Sequence, residues 1–453
     1  MLRTKPLMAF VAGCSALVLL GAGLADDRAE LLGRLKREYV RYAEQHQDPA
    51  SGLLYLATVK ALKSEKRYAP ENARQGMVDG VPSPHGYGTK GGDSGMSDTS
   101  LFGGQMLYAM LEAYDAGRDP DLERWARLLF AGMKIIGTAS PVAGFIVRGP
   151  HPLDRKAYYR DSSMDQHSTY VIALWRYFRS PLATEDDKAF IRDSLDKVAR
   201  RLEKNRWRIL WEDDSRPAHA GGGDLTRFGS EGVTLLLPMI GATADVTQDH
   251  HWLATYRRFA AERDGLRWQV LQPDSKGFEM NAHPLWGQQA IFRVHCLYEI
   301  EKDPSRRAAL LTHAAAYTRR RWAEEFPPQA GRGDLFDLLH SQTLTPAEAN
   351  LIGWQRGFCE GPFEAWKKYQ VPDEKLPTLL RAKLRDICVV FPSSAFTMAL
   401  FSRNRPLETE ALPASLEMVR TVDLARLPGW ARWGVIVLGW KAYAISPQAP
   451  PKR

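Results

Sequence analysis

Segments that are apolar around most of their circumference alternate along this chain with segments that are apolar on one face only. In 121–136 the residues Leu122, Trp125, Ala126, Leu129, Met133 and Ile136 recur at steps of three and four, which places them on one side of a helix. Ile191, Leu195, Val198 and Leu202 repeat that stripe in 186–204, with charges opposite. Segments 101–114 and 169–178 have almost no polar face, as expected of helices covered on every side. Polar turns with helix-stop residues follow the buried segments: Gly117 to Pro120, Ser180-Pro181 and Lys302 to Pro304. The repeating unit is therefore a helical hairpin with an inner and an outer member.

Inner helices are expected to begin near Asp98, Asp165, Glu231, Pro284, Ala347 and Leu427, and the first four are separated by 67, 66 and 53 residues. Residues 27–46 are free to serve as an outer helix for the C-terminal segment around Trp430 to Tyr443. The predicted fold is all-α: an α/α toroid of about six hairpins, with long Gly-rich loops at one mouth. Extended structure is expected only in short pieces such as Phe145 to Val147 and Trp207 to Trp211. No linker divides 26–453, so it reads as a single domain, with 377–424 as an elaboration beyond a minimal ring. Its 44% hydrophobic and 25% charged residues exclude a disordered or fibrous chain.

Met1 to Lys5 is basic, Leu7 to Leu20 is apolar, and Ala22-Gly23-Leu24-Ala25 offers small residues at a cleavage site. This predicts a signal peptide over 1–25 and a periplasmic or extracellular protein, with a lipoprotein as the alternative because Val11 to Cys14 also fits a lipobox. The apolar run is too short for a stable membrane span. Removing Arg3 and Lys5 reduces the formal charge from +8 to +6, a mild excess. Arg319 to Arg321 closes an outer helix, so nucleic-acid binding is not expected. Four scattered cysteines give no disulfide framework. Neither Cys-x-x-Cys nor His-Glu-x-x-His occurs, so no metal or cofactor is expected. Glu212 to Asp214 with Asp224 reads as a solvated acidic loop rather than a calcium site. No feature of the sequence speaks to an oligomeric state.

Acidic residues recur where loops enter the inner helices. Asp93 and Asp98 precede the first inner helix, Asp161 and Asp165 the second, and Asp224 and Glu231 the third. Glycosidic bond cleavage commonly needs two carboxyl groups, one protonating the leaving oxygen and one activating water or attacking carbon. Taken singly these acids have simpler explanations: Asp98 suits an N-cap, and Ser162-x-x-Asp165 suits a capping box. Their repeated placement in Gly/Ser-rich loops favours a site.

At these loops the chain resembles the six-hairpin glycosidases, and within them the unsaturated glucuronyl and rhamnogalacturonyl hydrolases. Those enzymes act through an Asp in an Asp-x-Gly-Phe-like loop and an Asp in an Asp-x-x-Met-like loop on the next hairpin. Asp93-Ser94-Gly95-Met96 and Asp161-Ser162-Ser163-Met164 look similar, with Met96 in place of the aromatic residue. The resemblance implies a glycoside hydrolase with Asp93 and Asp161 as the preferred catalytic pair, ahead of Asp98 and Asp165.

Other residues fit a cleft for an oligosaccharide or polysaccharide. Trp207, Trp211, Trp268, Trp286 and Trp354 offer flat faces for sugar rings, core packing being the alternative. Arg148 and Arg160 could hold a uronate carboxylate, or pair with Asp161 or Asp165. His167 and His283 are candidate bases or substrate donors. His167 with Tyr158 or Tyr159, and Arg148 neutralising an enolate, would instead make a polysaccharide lyase. A non-catalytic glycan-binding or structural toroid is the remaining alternative.

Overall fold

The computed structural model describes residues 28–65, 68–75, 77–78, 81–82, 95–218, 223–278, 284–325, 391–427 and 429–447. Asp93, His283, Trp354, the expected helix start at Ala347 and the whole leader lie outside them. Helix dominates. The helices are α1 (28–46), α2 (Val59–Ser64), α3 (Pro70–Gln75), α4 (Thr99–Gly117), α5 (Pro120–Thr138), α6 (Met164–Phe178), α7 (Glu185–Lys204), α8 (Ser230–Thr247), α9 (His250–Gln269), α10 (Pro284–Ile300), α11 (Pro304–Glu325), α12 (Phe391–Phe401), α13 (Arg405–Thr421) and α14 (Gly429–Ile445). Extended pairing among the described residues is confined to Met77–Val78 with Val81–Pro82 and to isolated bridges, including Arg208 with Asp224 and Leu210 with Pro217. Phe145 to Val147 is irregular and buried.

The two kinds of helix differ in burial as their sequences require. In α8 the residues from Val233 to Ala242 are buried without interruption, whereas α7 buries one face through Ile191, Leu195, Val198 and Leu202. Each large apolar side chain so buried stabilises the fold by about 1.5–3 kcal/mol. Outer helices start on strong caps. Asp119 accepts from the Asp121 and Leu122 amides ahead of Pro120, and Thr184 with Asp187 forms a reciprocal capping box on α7.

Six helices pack in sequence: α4 on α6, α6 on α8, α8 on α10, α10 on α12 and α12 on α14, while α14 packs back on α4. Helices α5, α7, α9, α11 and α13 each contact one or two of these. Helix α1 belongs to the outer set. It buries Leu31, Leu35, Tyr39 and Tyr42, sets Tyr39 against Trp125 (4.7 Å between centroids) and Trp440 (6.3 Å), and pairs Lys36 with Asp119 at 3.0 Å. Residues 391–421, read from the sequence as an elaboration, supply α12, packed on α10 and α14, and α13 against α12 and α14. A buried ion network fastens the far ends of three of the six: Lys441 of α14 and Arg176 of α6 both reach Glu112 of α4, at 2.8 and 2.9 Å. Among the described residues no helix is long and apolar enough to cross a membrane.

Candidate active site

The loop before α4 is fixed from both sides. The Leu56 and Ala57 amides donate to the Gly95 carbonyl at 3.1 and 3.2 Å, and Gly95 has a φ of +66, a backbone state that favours glycine. Met96 is buried against this turn and therefore belongs to the core. Asp98 occupies the N-cap position of α4, yet its side chain makes no cap hydrogen bond. It accepts instead from Arg148 Nη1 at 3.2 Å and Gln166 Nε2 at 2.9 Å. The capping explanation offered by the sequence thus fails for Asp98. Arg148, itself buried, also donates to the Ser97 carbonyl at 2.9 Å, and so holds the loop to the segment that follows α5.

The loop before α6 is anchored by Ser162, whose Oγ donates to the Ile146 carbonyl at 2.6 Å. Helix α6 begins at Met164 with Ser163 at its N-cap, so the expected Ser162-x-x-Asp165 capping box does not form. Asp165 accepts from Ser163 Oγ and from the Gln166 amide, the latter at 3.0 Å. Asp161 is fully buried. His167 is buried too, with Nδ1 3.1 Å from the Ser163 carbonyl; burial pushes its imidazole down to about 3 against the weaker opposing pull of that carbonyl. It is therefore neutral at ordinary pH and out of reach of solvent.

Gln166 joins the two loops. Besides its bond to Asp98 and its amide's bond to Asp165, its Oε1 accepts from the Leu101 amide at 3.1 Å and its carbonyl from Ser100 Oγ at 3.2 Å. Two carboxylates from successive inner helices are thereby held on one fully buried residue. The pair is asymmetric: Asp98 touches a guanidinium, while no cation lies within 4 Å of Asp165 among the described residues. Asp98 keeps 26% of its side-chain surface exposed, so it remains open to a ligand.

The remaining expected residues scatter. Glu231, in the first turn of α8, pairs with Arg227 at 2.5 Å. Arg160 is mostly exposed and pairs with Glu212 at 3.2 Å; Glu212 also accepts from Tyr158 at 2.5 Å and Ser140 at 2.6 Å. Among the described residues, the arginines expected to meet Asp161 or Asp165 thus pair with Asp98 and Glu212. Trp286, at the start of α10, is 46% exposed. One face of Trp211 is covered by the Arg216 guanidinium 3.5 Å from its centroid, and Trp207 and Trp268 are core residues. The acids of the 212–214 loop have local partners: Asp214, for example, pairs with Arg201 and Lys204. No group of three metal-binding side chains occurs among the described residues.

Gln166, Arg293 and the buried pair Gln288 and Gln105, 2.9 Å apart, were not singled out from the sequence. They lie on helices that are apolar nearly all round, where only the interruption of that surface by a polar residue could have drawn attention to them. Comparison with protein-family models and with curated proteins yields no match.

Proposed function

We propose that this chain is an exported glycoside hydrolase that cleaves an oligosaccharide on an α/α toroid, using Asp98 and Asp165 as its two carboxylates. The observation that carries this reading is the joining of both acids through Gln166, at the N-terminal ends of successive inner helices. Asp98, beside Arg148, is the ionised member that activates water or attacks carbon. Asp165 takes the other role, protonating the leaving oxygen. The choice of Asp98 and Asp165 over Asp93 and Asp161 rests on exposure: Asp161 is sealed from solvent, and Asp93 lies outside the described residues. Trp286 is suited to stack on a sugar ring at the same mouth.

The lyase alternative is less well supported. Its base would be a buried neutral His167 or a Tyr158 already donating to Glu212 and pushed by burial up to about 12. Reducing ends released from oligosaccharides by the purified protein, and lost in Asp98→Asn, would test the hydrolytic reading. Formation of an unsaturated uronide would replace it with elimination.

A further inference from the structure

The outer helices carry their charges in two ways. On α5 and α7 exposed cations sit a turn away from acids that balance them: Arg124 with Asp121 at 2.9 Å, Arg127 with Glu123 at 3.0 Å, Lys197 with Asp193 at 2.6 Å and Arg200 with Asp196 at 2.7 Å. Helices α9 and α11, which touch one another, depart from that pattern. Residues 250–261 of α9 and 304–321 of α11 hold seven arginines and no Asp or Glu. Arg306 and Arg319 find acids outside these stretches, Glu301 at 3.6 Å and Glu410 at 3.4 Å. Arg257, Arg258 and Arg320, all exposed, and the half-buried Arg307 have no carboxylate within 4 Å among the described residues.

Three of these four guanidinium groups lie over aromatic rings instead: Arg258 over Phe259 at 4.8 Å, Arg307 over Tyr298 at 4.2 Å and Arg320 over Phe278 at 4.6 Å. A ring orients a cation at the surface without neutralising it, so the positive charge on this side of the molecule stands uncompensated. From 253 to 261 and from 306 to 320 the exposed residues other than arginine are Leu253, Ala254, Ala261, Ala308 and Thr312. A polysaccharide would need hydrogen-bond acceptors for its hydroxyls, and among these exposed side chains only Thr312 offers one. Cations set among apolar side chains suit the boundary of a lipid bilayer, where guanidinium groups meet phosphates and methyl groups enter the headgroup layer.

We propose that the outer face of α9 and α11 docks on an anionic phospholipid bilayer and holds the protein there peripherally, without a membrane span. This goes beyond the hydrolase reading and does not depend on it. The test uses the chain from Asp26 onward, which lacks the apolar leader, sedimented with vesicles of phosphatidylcholine alone and with vesicles that also contain phosphatidylglycerol. Heparin serves as the soluble polyanion for comparison.

The protein should sediment with phosphatidylglycerol vesicles and not with phosphatidylcholine alone, and should be released as sodium chloride rises, because salt screens exposed charges. Each arginine close to an anionic surface contributes roughly fivefold to partitioning, so Arg257→Gln with Arg258→Gln should weaken binding at least about tenfold. Arg124→Gln with Lys197→Gln removes the same charge from the balanced helices α5 and α7 and should leave binding nearly unchanged. No binding to phosphatidylglycerol vesicles, whatever the retention on heparin, would overturn the proposal. Equal binding to phosphatidylcholine alone, or equal losses in the two double variants, would do the same. Should Arg257→Gln with Arg258→Gln fail to fold by circular dichroism, wild-type binding by Arg319→Gln with Arg320→Gln would overturn it instead.

Discussion

At the scale of the residue, the candidate site depends on a few polar side chains joined across two loops by Gln166. Asp98→Asn and Asp165→Asn should each lower turnover by roughly 10²- to 10⁴-fold, the usual contribution of a proton-transfer group; Asp165→Asn should melt close to the wild type, whereas Asp98→Asn should also melt lower because it leaves the buried Arg148 without its counter-charge. Large destabilisation in both would mark them as framework residues. His167 supports a prediction of another kind. Its folded pKa of about 3 lies far below the unfolded value of roughly 6.5, so the unfolded chain binds the extra proton between those limits. The stabilisation from keeping this ring neutral is complete above pH 6.5 and is lost as pH falls toward 3. His313, pushed down by burial to about 4, acts in the same direction. Thermal melting of the wild type should therefore fall steeply below pH 6, and His167→Asn should flatten that slope; an unchanged slope would contradict the assignment.

At the scale of the element, the sequence located five of the six sequentially packed helices and missed α12, which lies in the stretch read as an elaboration. Starts expected near Asp98, Asp165, Glu231, Pro284 and Leu427 correspond to helices beginning at Thr99, Met164, Ser230, Pro284 and Gly429. The signal was strong because an all-round apolar helix next to a one-faced one has few other uses. Caps were less legible: the same Ser and Asp residues that cap helices also bridge loops, and only the fold decides between these roles for Ser162 and Asp98. Where a cap did form, its loss should register. Thr184→Ala should cost about 0.5–2 kcal/mol in chemical denaturation. Close packing gives an opposite case to helix propensity, since a Cβ on Gly104 of α4 would meet Thr169 Cγ2 of α6 at 2.7 Å. Gly104→Ala should therefore destabilise the protein, although alanine favours an isolated helix by about 1 kcal/mol over glycine; a gain in stability would show that α4 and α6 can separate.

For the whole molecule, stability depends on how the last helix, α14, meets α4. Lys441, nearly fully buried, joins α14 to Glu112 of α4, where Arg176 also arrives from α6. Lys441→Met should cost about 3–5 kcal/mol, the penalty for leaving a buried carboxylate short of its partner. No periodicity in the sequence announced this network or Arg293, since their partners sit on other helices, as far apart in the chain as Glu112 and Lys441. The acids were visible because they recur before successive helices, but the link between Asp98 and Asp165 was not, because it runs through Gln166. The most direct measurement is reducing-end release from a panel of acidic and neutral oligosaccharides by the wild-type protein, Asp98→Asn and Asp165→Asn. Hydrolysis of an acidic substrate, reduced at least about 100-fold in both variants, is the predicted result; no release from any substrate, or equal release by all three proteins, would contradict the two-carboxylate account.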